Sequence, residues 1–167
     1  MKQFLENKLF HDFDKDELTS LINCNNQYFR LMVDIATTNN QPAAWRAPWL
    51  LTTCIKNNDT RIKPHLEAVI KAIDHKRDGF QRELLKIIIR MEITEKQEGI
   101  LFDKCASIWE STKKSPSVRI KAFECMAKIA GNHPELKTEL KLLAHPRYTQ
   151  SLSPGILQSL KKMIARF

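Results

Sequence analysis

Three arginines recur at an almost constant spacing, and this repeat constrains the fold more than any other feature of the sequence. Arg46, Arg82 and Arg119 are 36 and 37 residues apart. Each lies about four residues into a predicted helix, and a second helix start follows each arginine after 15 to 20 residues. A helix-pair unit of ~37 residues falls in the period range of helical solenoids. Such units must stack on their neighbours, because one unit cannot bury its apolar face alone.

Helix signals occur along the whole chain, whereas strand signals do not. Asp14 and Glu17 have the spacing of a capping box before Leu18. Proline fits the first turn of a helix, because the N–H group that it lacks would have no partner there. The prolines that open predicted helices are Pro42, Pro64, Pro116, Pro134 and Pro154. Pro48 is the exception, and it predicts a kink in the helix that carries Trp45 and Trp49.

Short connections join the predicted helices, so consecutive helices are expected to be antiparallel neighbours. Only 4 of the 167 residues are glycine, which argues against a loop-rich all-β fold and against a glycine-rich phosphate loop. The sequence therefore predicts an all-α fold of nine or ten helices in a single domain, 1–167. Cap helices are expected at 1–38 and 153–167, with the repeats at 39–150.

Arg119 has an unusual position on its predicted helix. The apolar face of that helix consists of Val118, Ala122, Met126 and Ile129. Arg119 lies near the centre of this face, where a charge must be paired or hydrogen-bonded. We expect it to reach a carboxylate or the carbonyl groups at the end of a neighbouring helix. We assign Arg46, Arg82 and Arg119 a structural role in the repeat, with ligand binding as the alternative.

The segment around Arg119 resembles a known repeat. Ser115-Pro-Ser-Val-Arg-Ile-Lys-Ala-Phe is similar to the start of the second helix of HEAT repeats, where Asp-x-x-Val-Arg-x-x-Ala is typical. Asp78 to Arg82 is a weaker match. A set of packing residues within about 18–145 resembles short bacterial HEAT-like proteins of unestablished function: Trp45–Leu51, Pro64–Leu66, Gly99–Cys105 and Pro134–Lys137. The resemblance implies an α-α superhelix of HEAT-like, armadillo-type antiparallel helix pairs.

The formal net charge of +8 is unevenly distributed along the chain. Residues 111–167 hold 11 basic and 3 acidic residues, which accounts for the whole excess. Such a region can attract an acidic protein, nucleic acid or lipid headgroups, although a solvated surface is the simpler interpretation. If the helices at 42–57, 79–92, 116–131 and 154–166 line one side, they form a candidate basic groove. Its residues are Lys86, Arg90, Lys121, Lys128, Lys161 and Lys162.

Motifs that carry catalysis or bind a cofactor do not occur in the sequence. The zincin, G-x-S-x-G, G-x-G-x-x-G and Walker patterns are all missing. The five histidines lack the spacing of metal ligands. The cysteines are expected to be reduced and to act as small hydrophobic residues: Cys24, Cys54, Cys105 and Cys125. We predict no catalytic residues, no cofactor and no metal, and we leave open whether the protein is an enzyme.

The three tryptophans offer a test of one enzymatic alternative. In a HEAT-like DNA glycosylase, Trp and Asp residues line a concave groove and contact the damaged base. Here no Asp follows at helical spacing, because Lys113 lies four residues after Trp109 and Trp49 lies four residues after Trp45. We therefore expect the tryptophans to pack in the core.

Two functions remain from different classes. The first is a non-catalytic module for protein–protein interaction or scaffolding that binds a protein or an acidic peptide. The alternative is a nucleic-acid-binding protein, which includes the HEAT-like DNA glycosylase type, and a purely structural role is a third hypothesis. No signal peptide and no apolar run of ~18 residues is found. The protein is therefore expected to be cytoplasmic, without membrane contact, and a monomer or weak homodimer.

Overall fold

The computed structural model describes residues 1–166, and within them it contains eleven α-helices, three 3₁₀ helices and no β-strand. The predicted all-α class is confirmed, with one or two helices more than expected. In chain order the α-helices are α1 (Lys2–Phe10), α2 (Lys15–Cys24), α3 (Asn26–Thr38), α4 (Arg46–Cys54), α5 (Leu66–Ala72), α6 (Asp78–Ile89), α7 (Glu95–Glu110), α8 (Pro116–Asn132), α9 (Leu136–Leu143), α10 (Pro146–Thr149) and α11 (Pro154–Ile164).

The first compact unit, residues 1–92, contains α1 to α6. Helix α4 lies at its centre and packs against α2, α3 and α6. The 3₁₀ helices Pro42–Trp45, Lys63–His65 and Ile73–His75 also belong to this unit. Its core consists of apolar side chains with almost no solvent exposure, among them Leu18, Ile22, Phe29, Met32, Ile35, Leu50, Leu51, Leu84 and Leu85.

The second compact unit begins at residue 93 and contains α7 to α11. Helices α7 and α8 form its main packed pair, and α8 also contacts α9 and α11. The core between them includes Leu101, Cys105, Trp109, Val118, Phe123 and Met126. The assignment of 1–38 and 153–167 as caps of a single domain stays a prediction.

The helix starts follow the local signals, with differences of detail. Asp14 caps α2 by accepting hydrogen bonds from the N–H groups of Asp16 and Glu17, but the Glu17 side chain pairs with Lys8. The complete capping box is formed instead by Thr94 and Gln97 at the start of α7.

The sequence predicts a kink at Pro48 inside one helix that carries Trp45 and Trp49, but the structure places a helix boundary before Pro48. A 3₁₀ helix ends at Trp45 and α4 begins at Arg46, so Pro48 lies in the first turn of α4. There its missing N–H group costs no helical hydrogen bond. Within residues 1–166, no helix combines the length and the apolar character needed to cross a membrane.

Candidate functional site

The arginines of the repeat all engage groups within their own unit. In unit 1, Arg46 donates from Nη1 to the Leu9 carbonyl oxygen at the end of α1, at 2.8 Å. Arg82 contacts Glu83 Oε1 from Nε at 3.0 Å and from Nη2 at 2.9 Å, and the Glu83 side chain is 0% exposed. Arg46 therefore connects the start of α4 to the end of α1, whereas Arg82 pairs with its neighbour on the same helix, α6.

Arg119 lies in the interior of unit 2 and is 0% exposed. It donates from Nε to the Trp109 carbonyl oxygen at 2.9 Å and from Nη2 to the Tyr148 carbonyl oxygen at 2.5 Å. Carbonyls near a helix end were one of the two kinds of partner expected from its apolar position. Burial lowers the pKa of Arg119 from its ordinary value. Its two hydrogen bonds connect α8 to the last turn of α7 and to α10.

The candidate basic groove draws its residues from both units. In unit 1, Lys86 pairs with the buried Glu83 at 2.9 Å. Arg90 donates to the carbonyl oxygens of Thr52 at 2.7 Å and Ile55 at 3.2 Å. These side chains are therefore already engaged within the chain.

The other four basic residues lie on α8 and α11 of unit 2, two helices that pack against each other. Lys121 pairs with Glu124 on α8. Lys128, Lys161 and Lys162 are exposed. The joining of all six residues in one groove stays a prediction.

Three aromatic side chains and two cations form a surface in unit 1, where Trp45 is exposed and Phe13 and Trp49 are half-buried. We call it the aromatic patch, and it consists of Phe13, Lys15, Trp45, Arg46 and Trp49. The ring centroids of Trp45 and Trp49 are 6.1 Å apart, as are those of Phe13 and Trp49. The Lys15 ammonium lies 5.6 Å from the Trp49 ring, and the Arg46 guanidinium lies 4.6 Å from the Phe13 ring. The patch combines a continuous aromatic surface with two cations.

The expectation that every tryptophan packs in the core is wrong for Trp45, which is 40% exposed. It holds for Trp109, which is 0% exposed. The reason is local, because Trp45 ends the 3₁₀ helix before α4 rather than lying on the α-helix itself. The buried positions at this turn are taken by Ala44 and Ala47.

A second surface feature lies in unit 2, between α7 and the region of α8 and α9. It is a groove of about 380 Å³, which we call the acidic groove. Its apolar lining is Phe102, Ile129 and Leu136, and its remaining lining is Glu95, Glu98, Gly99, Asp103, His133 and Glu139. Sequence reasoning missed this groove, because its carboxylates come from helices separated by the whole of α8.

Glu98 and His133 form a hydrogen-bonded polar pair in the acidic groove. Glu98 Oε2 lies 2.7 Å from His133 Nε2, and its Oε1 accepts a hydrogen bond from Asn132 Nδ2 at 3.0 Å. The hydrogen bond with Glu98 raises the pKa of His133 above its ordinary value, and the charges of Glu98 and Glu135 add to this effect. Burial raises the pKa of Glu98, but hydrogen bonds from His133 and Asn132, together with the charges of His133 and Lys128, outweigh burial and hold it below its ordinary value.

This pair predicts a pH-dependent contribution to stability. Because the pKa of His133 is raised on folding, its contribution is complete below the unfolded value of 6.5 and is lost as pH rises through the folded value. Because the pKa of Glu98 is lowered, its contribution is present above 4.5 and is lost as pH falls through the folded value. We therefore expect His133→Ala to destabilise the protein more at about pH 5.5 than at about pH 9.

Urea denaturation of both proteins at the two pH values measures this difference. His11→Ala is the matched control, since His11 is exposed and no ion pair of its side chain is seen in residues 1–166. It measures what the loss of an exposed histidine does to stability at each pH. An equal effect of His133→Ala at the two pH values would contradict the assigned role of the pair.

The cysteines differ in their surroundings. Cys54, Cys105 and Cys125 are buried, as expected of small hydrophobic residues, whereas Cys24 is exposed. Burial raises the pKa of Cys105 well above its ordinary value, and the neighbouring Cys125 raises it further. A thiol in this environment stays protonated and is a poor nucleophile. In the described part of the chain, no group of three His, Cys, Asp or Glu residues could hold a metal ion.

Comparison with known proteins identifies the family of the chain. No curated protein and no solved structure matches the chain. The family model of the HEAT repeat domain matches residues 1–166. This match covers both units and includes the segment around Arg119 that carries the sequence resemblance. The chain belongs to the HEAT repeat domain family.

Proposed function

We propose that this protein is a non-catalytic interaction or scaffold module that binds another protein in the cytoplasm, as a monomer or weak homodimer. HEAT repeat domains generally mediate protein–protein interaction or scaffolding. The observation that carries the proposal is the exposure of Trp45 within the aromatic patch. Tryptophan and arginine are enriched among the residues that contribute most to binding energy at protein interfaces.

The chemistry of the aromatic patch favours an acidic partner segment that carries an apolar side chain. Trp45 and Trp49 offer the apolar contact surface. Lys15 and Arg46 place two positive charges at the same surface. Arg46 is held in position by its hydrogen bond to Leu9, so little side-chain entropy is lost when a carboxylate of the partner approaches it. This partner agrees with the acidic peptide expected from the sequence.

Affinity capture from the source cells with the purified protein tests this proposal. Trp45→Ala should reduce recovery of the partner at least about tenfold, because removal of a central aromatic residue at an interface costs ~2 kcal/mol or more. Phe4→Ala is the matched control, since Phe4 is 43% exposed and lies in the same unit outside the patch. Recovery that is equal for wild type and Trp45→Ala would exclude the patch as the binding surface.

A nucleic-acid-binding function, including the HEAT-like DNA glycosylase type, is the second candidate. It is favoured by the exposed Lys161 and Lys162 in the last turn of α11 and by the charge of residues 111–167. The internal pairing of Lys86, Arg90 and Lys121 supports the protein-binding function over it.

Binding to labelled duplex and single-stranded DNA across a salt series tests this second candidate. Phosphate contacts would produce an affinity that falls steeply with salt, and the Lys121→Glu, Lys128→Glu double variant should abolish it. Absence of binding at low salt would exclude this function.

A further inference from the structure

We propose that the acidic groove of unit 2 is a second docking site, which binds a partner-protein segment with lysine or arginine side chains beside an apolar residue. This inference goes beyond the proposed function, because it assigns a different surface in the other unit and a partner of opposite charge. Three features of the groove support it: the charge of its lining residues, its apolar floor and the glycine in its wall.

The lining of the acidic groove is negatively charged, whereas the part of the chain that contains it carries a net positive charge. Residues 93–166 hold 13 basic and 7 acidic residues. Four of the seven acidic residues line the groove, and no Lys or Arg is among its nine lining residues. The charge of Lys128 helps to lower the pKa of Glu98, but Lys128 is not a lining residue of the groove. A negatively lined cleft raises the local concentration of cationic groups.

The groove also has the apolar surface that a peptide segment requires. Phe102 and Ile129 are buried and Leu136 is partly exposed, so they form a floor beneath the carboxylates. Lysine and arginine bury their aliphatic stems on such a floor while the charged head stays at the rim. The volume of about 380 Å³ lies within the ~300–1,000 Å³ of typical ligand pockets. This combination favours a basic segment with an apolar residue over a purely apolar one.

Gly99 keeps the wall of the groove open. It is the fifth residue of the 16-residue helix α7, whereas the other three glycines lie within two residues of a helix end. A glycine inside a helix is destabilising relative to alanine. No atom of the chain lies within 4 Å of a Cβ built at Gly99, so internal packing does not require glycine there. Glycine at this position is explained if a bound segment lies close to the α7 backbone, where a side chain would block it.

Fluorescence anisotropy with the purified 167-residue chain and a labelled peptide of alternating lysine and leucine tests the proposal. The protein should bind this peptide and should not bind the corresponding peptide of alternating glutamate and leucine. The net charge of +8 works against this preference, so non-specific attraction would give the reverse order. Failure to bind the lysine–leucine peptide at low salt, or equal binding of both peptides, would overturn the proposal.

Two kinds of variant locate the binding site. The triple variant Glu95→Lys, Asp103→Lys, Glu139→Lys reverses the exposed rim charges and keeps Glu98 for its bonds to Asn132 and His133. We expect it to weaken binding of the lysine–leucine peptide at least about tenfold. Glu110→Lys is the matched control, since Glu110 is exposed on the same helix outside the groove. It should bind the peptide as the wild type does.

Gly99→Leu separates binding from folding. Leucine is a better helix former than glycine and meets no atom of the chain at its Cβ, so this variant should melt no lower than the wild type. It should nevertheless weaken peptide binding about tenfold, because its side chain occupies the groove. Wild-type affinity in both Gly99→Leu and the triple variant would place the peptide elsewhere and overturn the proposal.

The two surfaces can be distinguished in the same assay. Trp45→Ala should leave binding of the lysine–leucine peptide unchanged, so failure of the aromatic patch as a binding surface would not affect this result. The acidic groove could instead bind a second copy of this chain. Analytical sedimentation of the wild type and the triple variant tests this by measuring self-association. Self-association that the triple variant abolishes, with no peptide binding to the wild type, would overturn the proposal in favour of that occupant.

Discussion

Replacement of Arg119 by alanine is expected to lower the free energy of unfolding by about 3–5 kcal/mol. The guanidinium is 0% exposed and donates to the carbonyl oxygens of Trp109 and Tyr148. Its removal leaves two acceptors without their partner, each at a cost of ~1–3 kcal/mol, and also leaves a cavity. The substitution also removes the cost of burying the guanidinium charge, and this gain offsets part of the loss in stability. Because the Trp109 carbonyl remains buried and the Tyr148 carbonyl part-buried, the net effect is still strongly destabilising.

Urea denaturation followed by circular dichroism measures this effect. Arg119→Lys should show an intermediate loss, because an ammonium group cannot reproduce the two directions in which the guanidinium donates. Arg147→Ala is the matched control, since Arg147 is exposed and should shift stability by no more than about 0.5 kcal/mol. A loss below about 1 kcal/mol for Arg119→Ala would show that its buried hydrogen bonds do not stabilise unit 2.

Replacement of Trp109 by alanine is expected to cost about 3–5 kcal/mol, the range for a large buried aromatic side chain. The indole ring is 0% exposed, lies 4.8 Å from the Phe123 ring and has the Arg119 guanidinium 5.1 Å from its centroid. Its Nε1–H donates to the Leu143 carbonyl oxygen at 2.8 Å. The substitution therefore removes packing between α7 and α8 together with the bond that connects α7 to the end of α9.

Two further variants make the Trp109 prediction specific. Trp109→Phe keeps an aromatic ring but leaves the Leu143 carbonyl without its donor, so we expect a loss of about 1–3 kcal/mol. Trp45→Ala should change stability by less than about 1 kcal/mol, because Trp45 is 40% exposed.

A double-mutant cycle then measures how Trp109 and Arg119 cooperate. Because they are in contact, their separate losses should not add in the Trp109→Ala, Arg119→Ala double variant. Additive losses would contradict a shared network.

Local patterns accounted for much of the architecture. The apolar periodicity and the prolines at helix starts predicted the all-α fold, because both act within one or two helical turns. The position of Arg119 on an apolar face was enough to predict that it needs buried partners, since an unpaired charge there is too costly. The same reasoning failed at Trp45, because the turn before α4 is 3₁₀ rather than α-helical.

Spacing along the chain was enough to predict the helices and a repeat family with recurring arginines. Which charges are paired within the chain depends instead on how the helices pack, as the bonds of Arg90 to Thr52 and Ile55 illustrate. The same packing makes the carboxylates of α7 and Glu139 of α9 line one groove in a basic part of the chain. Such juxtapositions depend on which helices pack together, because residues far apart in sequence meet only when their elements bury a common apolar surface.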